Sequence, residues 1–182
     1  MKVLSFLLGS IFLILGILTL LAPKDFLIER TTTINKPIKE VFDSIKLLKN
    51  HEEWNSWSKK DPNLKKEFTG TDGMVGFKSS WQSENEELGT AEQEITNIIE
   101  GKRFDTVIHF KKPFEANFDS YLITDSINEN ETVVVLGMHD SMSFPMTIIS
   151  FIVNDFLGNR NKIQSNMDSS LKNLKEVLEN KN

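Results

Sequence analysis

The chain has 182 residues, 39% hydrophobic and 26% charged, enough for one globular domain with a sizeable core and a short additional element. Lys and Arg number 21 against 26 Asp and Glu, for a formal charge of −5, and this acidity argues against a nucleic-acid partner, which would need a basic face. There is no cysteine, which excludes a disulfide framework, a thiol nucleophile and a cysteine-ligated metal.

The first element is "VLSFLLGSIFLILGILTLLA", Val3 to Ala22, a run without a charged residue. At about 1.5 Å per residue a helix of this length crosses the roughly 30 Å hydrocarbon core of a bilayer. It reads as a single amino-terminal transmembrane anchor, with residues 1–23 as one segment and residues 24–182 as the domain it carries. The alternative is a cleaved signal peptide, but the apolar part is longer than the usual ~7–15 residues and Leu20 stands where a small residue belongs. Lys2 precedes the run while Lys24, Arg30, Lys36 and Lys39 follow it, mixed with acids, so the side of the membrane stays open.

After Pro23, "KDFLIERTTTI" has the β-branched alternation of a half-buried strand. Asn35 and Pro37 end it, and "IKEVFDSIKLL" then sets Ile38, Val41, Phe42 and Ile45 on one helical face. Trp54 and Trp57, one helical turn apart before Asp61-Pro62, mark a second, short helix, with anchoring of that helix as their expected role. Six short strands follow, at Leu64–Phe68, Gly76–Ser83, Leu88–Ile99, Arg103–Phe110, Phe114–Thr124 and Thr132–Met142, with separators short enough for antiparallel hairpins. The chain closes on a long amphipathic helix, with Ile163, Met167, Leu171, Leu174, Val177 and Leu178 at three- and four-residue steps.

This order predicts an α+β fold in which a curved antiparallel sheet of about seven strands grips the carboxyl-terminal helix. A gap between a curved sheet and one helix is a place where small hydrophobic ligands bind. Alternation puts Phe104, Ile108 and Phe110 on one face, with Ala116, Phe118 and Leu122, and Val134, Leu136 and Met138. The residues expected to meet a ligand are Phe77, Ser79, Trp81, Gln93, Phe110, Phe118, Met138 and Asp140 on the strands. Phe144 and Phe151 join them from the run Met142–Gly158, whose apolar stretch Phe144–Val153 is ten residues, about half of what a bilayer-spanning helix requires, and which leads into the last helix. Plain core packing is the alternative for each of them; Ser79 and Gln93 stand out because an apolar core excludes polar groups without partners.

His51 sits in a polar helical stretch and is expected in solvent. His109 and His139 fall on the outward parity of strands with one strand between them, roughly 9–10 Å apart and too far to share a metal. No metal and no cofactor is expected. Asp140 shares the inward parity of Met138, where it would serve either as an acid facing the ligand or as a strand-end residue bonded locally.

The stretches "ERTTTINKPIKEVFDSI", "HEEWNSWSKKDP", "GTDGMVGFKSSW", "GTAEQEITNIIEGKRFD" and "LKNLKEVLE" resemble the START/Bet v 1-like (SRPBCC) superfamily, and within it the membrane-anchored bacterial polyketide cyclase-like proteins. The resemblance covers nearly all of residues 24–180 and implies a helix-grip domain with a hydrophobic-ligand cavity. It names no ligand, since fold does not fix chemistry. The expected partner is a lipid-like small molecule, and the expected location is the membrane. A cyclase- or hydrolase-type enzyme using the same cavity through Asp140 or Gln93, and an anchored protein-interaction scaffold, are the alternatives.

Overall fold

The computed structural model describes residues 22–85, 87–113, 115–142 and 145–180, with positions 10, 13 and 16–19. Most of the run Val3–Ala22 and the residue Phe144 therefore lie outside the described residues. Among the described residues, no helix is long and apolar enough to cross a membrane.

The chain runs β1 (Asp25–Ile34), α1 (Ile38–Ile45), a 3-10 turn at Leu48–Asn50, α2 (His51–Trp54) and a second 3-10 turn at Ser58–Lys60. Then come β2 (Lys65–Thr69), β3 (Lys78–Gln82), β4 (Thr90–Ile99), β5 (Arg103–Lys112), β6 (Ala116–Asn128) and β7 (Glu131–Ser141). Last are α3 (Met146–Ser150), a π turn at Phe151–Phe156 and α4 (Asn159–Asn180). One seven-stranded sheet holds the strands in the order β1-β7-β6-β5-β4-β3-β2. Every pair from β2 to β7 is antiparallel, as short connections require. Register shifts at Thr90/Ala91, Ile95/Asn97 and Ser126/Asn128 mark the bulges that bend such strands. β6 continues four residues past the Thr124 expected from the polar run that follows, because solvent-facing polar residues still pair with β7, as Ser126 does with Thr132.

The chain divides into two compact units, residues 1–26 with 141–162, and residues 27–140 with 163–182. In the larger unit, Val41, Phe42 and Ile45 are buried on one side of α1, as the 3.6-residue period predicts. Asp72, from the "GTDG" turn, accepts from the backbone N–H groups of Leu48 (2.8 Å) and Lys49 (3.1 Å) and so satisfies the start of the 3-10 turn. The buried stripe of α4 is Met167, Ser170, Leu171, Leu174 and Leu178. Hydrogen bonds from Lys175 Nζ to the Thr33 carbonyl (2.8 Å) and from Asn173 Nδ2 to the Trp54 carbonyl (3.0 Å) fix its turns. Ser170 Oγ also accepts from the Ser56 N–H at 2.9 Å.

His51 corrects the sequence reading. It is buried rather than solvated, its ring 4.4 Å from Trp54 and 5.9 Å from Phe104, with Nε2 2.6 Å from the Ile45 carbonyl. Lys49, Asn50, Glu52 and Glu53 made the stretch look wet, but one side of a single helical turn is enough to bury a ring. Trp54 is buried with it, as its anchoring role predicts.

Burial lowers the pKa of His51 from 6.5 to about 4, against the weaker opposing effects of the Ile45 carbonyl and Asp72. The unfolded chain then takes up the proton first as pH falls, so this contribution is complete above pH 6.5 and is lost as pH falls towards 4. Urea unfolding should show a loss of about 2 kcal/mol between pH 7 and pH 5, and His51→Gln should flatten that slope. An unchanged slope in the variant would remove His51 from the account.

Candidate functional site

The face of the sheet that carries the core is not uniformly covered. Phe104, Leu122, Val134 and Leu136 are buried at one end. Further along the same strands Ile108, Phe110, Phe118 and Met138 are only half-buried, as is Trp81 on β3. Register explains how these meet: Trp81 pairs with Ala91, Ala91 with Phe110, and Ile108 with Phe118. The small Ala91 leaves room for Trp81 and Phe110 to approach edge to face, with ring centroids 6.3 Å apart at 88°. Phe110 and Phe118 do the same at 5.9 Å and 87°. Each such contact contributes about 0.5–1.5 kcal/mol beyond its burial, which holds the rings as a wall although one side of them is open.

Polar groups cross the same face between the two ends. Gln93 Nε2 donates to Thr106 Oγ1 at 2.9 Å, and Ser79 is the register partner of Gln93. Trp81 Nε1 donates to the Leu88 carbonyl at 3.0 Å, which directs the indole's polar edge to the backbone and leaves its ring for apolar contact.

Of the residues singled out from the sequence, Trp81, Gln93, Phe110, Phe118 and Met138 thus gather at the half-buried end of one face. Ser79 lies beside them but is buried. Phe77 is buried too, stacked on Phe68 at 6.0 Å. Asp140 is half-buried on β7, two residues beyond Met138. Phe151 is half-buried in the π turn, which belongs to the smaller unit, and Phe144 lies outside the described residues. Ile108 belongs to the cluster and was left out of the candidates, although its parity placed it there.

The opposite face carries a polar depression of about 460 Å³, lined among others by Asn97, Arg103, Asp105, Asp119, Tyr121 and His139. Nothing in the sequence pattern announced it, because it depends on long-range register. Gly137 lies opposite Tyr121, and the ring fills the space where a Cβ would be. The hydroxyl of Tyr121 donates to Glu29 Oε1 at 2.5 Å, and the Arg103 guanidinium sits 4.6 Å from its ring centroid. Arg103 pairs with Asp105 at 2.7 Å, and Asn97 donates to the other oxygen of Asp105 at 2.9 Å. Desolvation first, and Glu29 second, push the Tyr121 pKa up to about 12, so the phenol stays a proton donor at neutral pH. His109 and His139 face different residues of the intervening β6: His109 Nδ1 is hydrogen-bonded to Asn117 Oδ1 at 2.8 Å, and His139 Nδ1 lies 3.9 Å from Asp119, beyond hydrogen-bond distance.

No family profile matches the chain, and no curated protein matches it by sequence. Solved structures do match. They include the protein TTHA0849 of Thermus thermophilus at 18% identity and a TM-score of 0.57, over 84% of this chain and 97% of that one. The Aha1 dimer of Colwellia psychrerythraea matches at 15% identity and a TM-score of 0.56, over 85% and 97%. Ara h 8.0201 matches at 12% identity and a TM-score of 0.51, also over 85% and 97%. At these identities the likeness concerns the fold, which is the helix-grip fold of Bet v 1-like proteins.

Gly137→Ala would place a Cβ 2.1 Å from Cζ of Tyr121 and force the ring off the sheet. The expected cost is about 1–3 kcal/mol in urea unfolding. In a Tyr121→Ala background the same change should cost little, and additive costs in that double-mutant cycle would contradict the packing described.

Proposed function

We propose that the chain binds an apolar or amphipathic small molecule of lipid-like character against the half-buried end of the sheet. The ligand would lie on the Trp81–Phe110–Phe118 wall, with Ile108 and Met138 beside it. The observation that carries this reading is the wall itself: three aromatic rings held edge to face in a row and left half open. A protein with no use for such a surface gains by covering it. Pockets for small ligands combine apolar and aromatic linings with a few placed polar groups, and Gln93 and Ser79 lie beside the wall in that proportion. The fold supports the reading without naming the ligand.

The second part of the proposal is that the domain works at a membrane, tethered through Val3–Ala22. Its support is the length of that uncharged run against the thickness of a bilayer. This would place the chain among the membrane-anchored polyketide cyclase-like members of the START/Bet v 1-like superfamily.

A photoactivatable fatty acid presented to the full chain in membranes should crosslink at Trp81, Phe110 or Phe118, located residue by residue in fragment spectra, and not at Tyr121 or His139. Phe110→Ser removes about 1.5–3 kcal/mol of apolar burial and should lower capture roughly tenfold or more, with circular dichroism unchanged. Labelling spread evenly over both faces, or unaffected by Phe110→Ser, would refute the site.

A further inference from the structure

The smaller unit contains a helical segment whose outer side is apolar. From α3 through the π turn, Thr147 and Ile148 are buried and Ser150 and Asn154 are half-buried, while Met146, Ile149, Ile152, Val153, Phe156 and Leu157 face solvent at three- and four-residue steps. Phe156 is 83% exposed and Leu157 70%. The half-buried polar groups bond one another, Asn154 Nδ2 to Ser150 Oγ at 2.8 Å and Asn159 Nδ2 to Asn154 Oδ1 at 2.9 Å. An ordinary surface helix buries its apolar stripe and wets its polar one. Here most of the apolar side chains point outward while Thr147, Ser150 and Asn154 turn inward, with Asp155 the exposed polar exception, held by Arg160, and such a run of exposed apolar groups marks a surface made to meet something apolar.

Both ends of this segment are tied to the residues that directly follow Val3–Ala22. Met142 N–H, just before it, donates to the Lys24 carbonyl at 2.9 Å. Arg160, just after it, holds its guanidinium 4.8 Å from the centroid of the Phe26 ring while pairing with Asp155 at 2.7 Å. Phe26 is four residues past Ala22, and a chain reaches at most about 3.6 Å per residue, so the backbone of both tied residues, Lys24 and Phe26, lies within roughly 15 Å of the end of the run. A run that crosses the bilayer therefore brings the segment to the bilayer surface.

We infer that Met146–Leu157 lies in the headgroup region of the bilayer, its Ile149, Ile152, Val153, Phe156 and Leu157 side chains entering the upper acyl chains, in the manner of an interfacial helix seated about 5–10 Å deep. This rests on the membrane reading proposed above, and it adds a second contact that fixes how the smaller unit meets the lipid. The occupant of the exposed stripe is lipid, because the tether delivers lipid to it.

The absence of native cysteine makes the test direct. Leu13→Cys, Ile149→Cys and Phe156→Cys variants of the full chain, each labelled with bimane, are placed in phosphatidylcholine–phosphatidylglycerol vesicles carrying nitroxide lipids. The inference predicts blue-shifted emission at positions 149 and 156, quenching by a nitroxide near the top of the acyl chain, and no quenching by aqueous iodide, with the Leu13→Cys label quenched by a deep nitroxide. A deep Leu13→Cys label with 149 and 156 open to iodide overturns the inference and leaves the anchor standing. Labels at 149 and 156 shielded from both iodide and nitroxide mean that protein, a second copy or the chain itself, covers the stripe, which also overturns it. A Leu13→Cys label that meets no lipid overturns the anchor and this inference together.

Discussion

A β-strand sends alternate side chains to opposite faces, so a sheet built from half-apolar strands has one face that must be covered by whatever helices the chain supplies. In the larger unit the cover is unequal. Phe104, Leu122 and Val134 are sealed, while Ile108, Phe110, Phe118 and Met138 on the same strands are not. Every functional statement about this domain depends on that inequality, because a fully sealed sheet would offer a ligand no surface. The aromatic wall is stable in its half-open state because its rings brace one another edge to face.

The two faces of the sheet do different work. The polar network on the other face is satisfied internally: Glu29 accepts from Tyr121, Tyr121 stacks under Arg103, and Asp105 takes both Arg103 and Asn97. These contacts join β1, β4, β5 and β6, and Gly137 on β7 makes room for them. Cross-strand pairs of this kind stiffen a sheet. They hold β4, β5 and β6 in the register that pairs Ala91 with Phe110 and Ile108 with Phe118 on the opposite side.

Much of this could be read from the sequence. Alternation located the first strand and short turn-rich separators the other six, and the 3.6-residue period gave the buried stripes of α1 and α4, because burial of a regular element leaves its period in the chain. Five of the candidate residues came together at one end of one face because parity within a strand is a local property. What escaped was set by distant partners. His51 is surrounded by polar neighbours and buried against Trp54 and Phe104. Tyr121 takes its place from Glu29 and from the missing Cβ of Gly137. The run Met142–Gly158 showed its apolar content, but which side of its helix faces outward is decided by contacts beyond its own residues.

Native mass spectrometry of the full chain measures the central claim most directly. The account predicts a stoichiometric adduct in the mass range of a single lipid-like molecule, lost in a Phe110→Ser, Phe118→Ser double variant that still folds. A bare mass in the unaltered chain, or an adduct equally retained by the double variant, would contradict it.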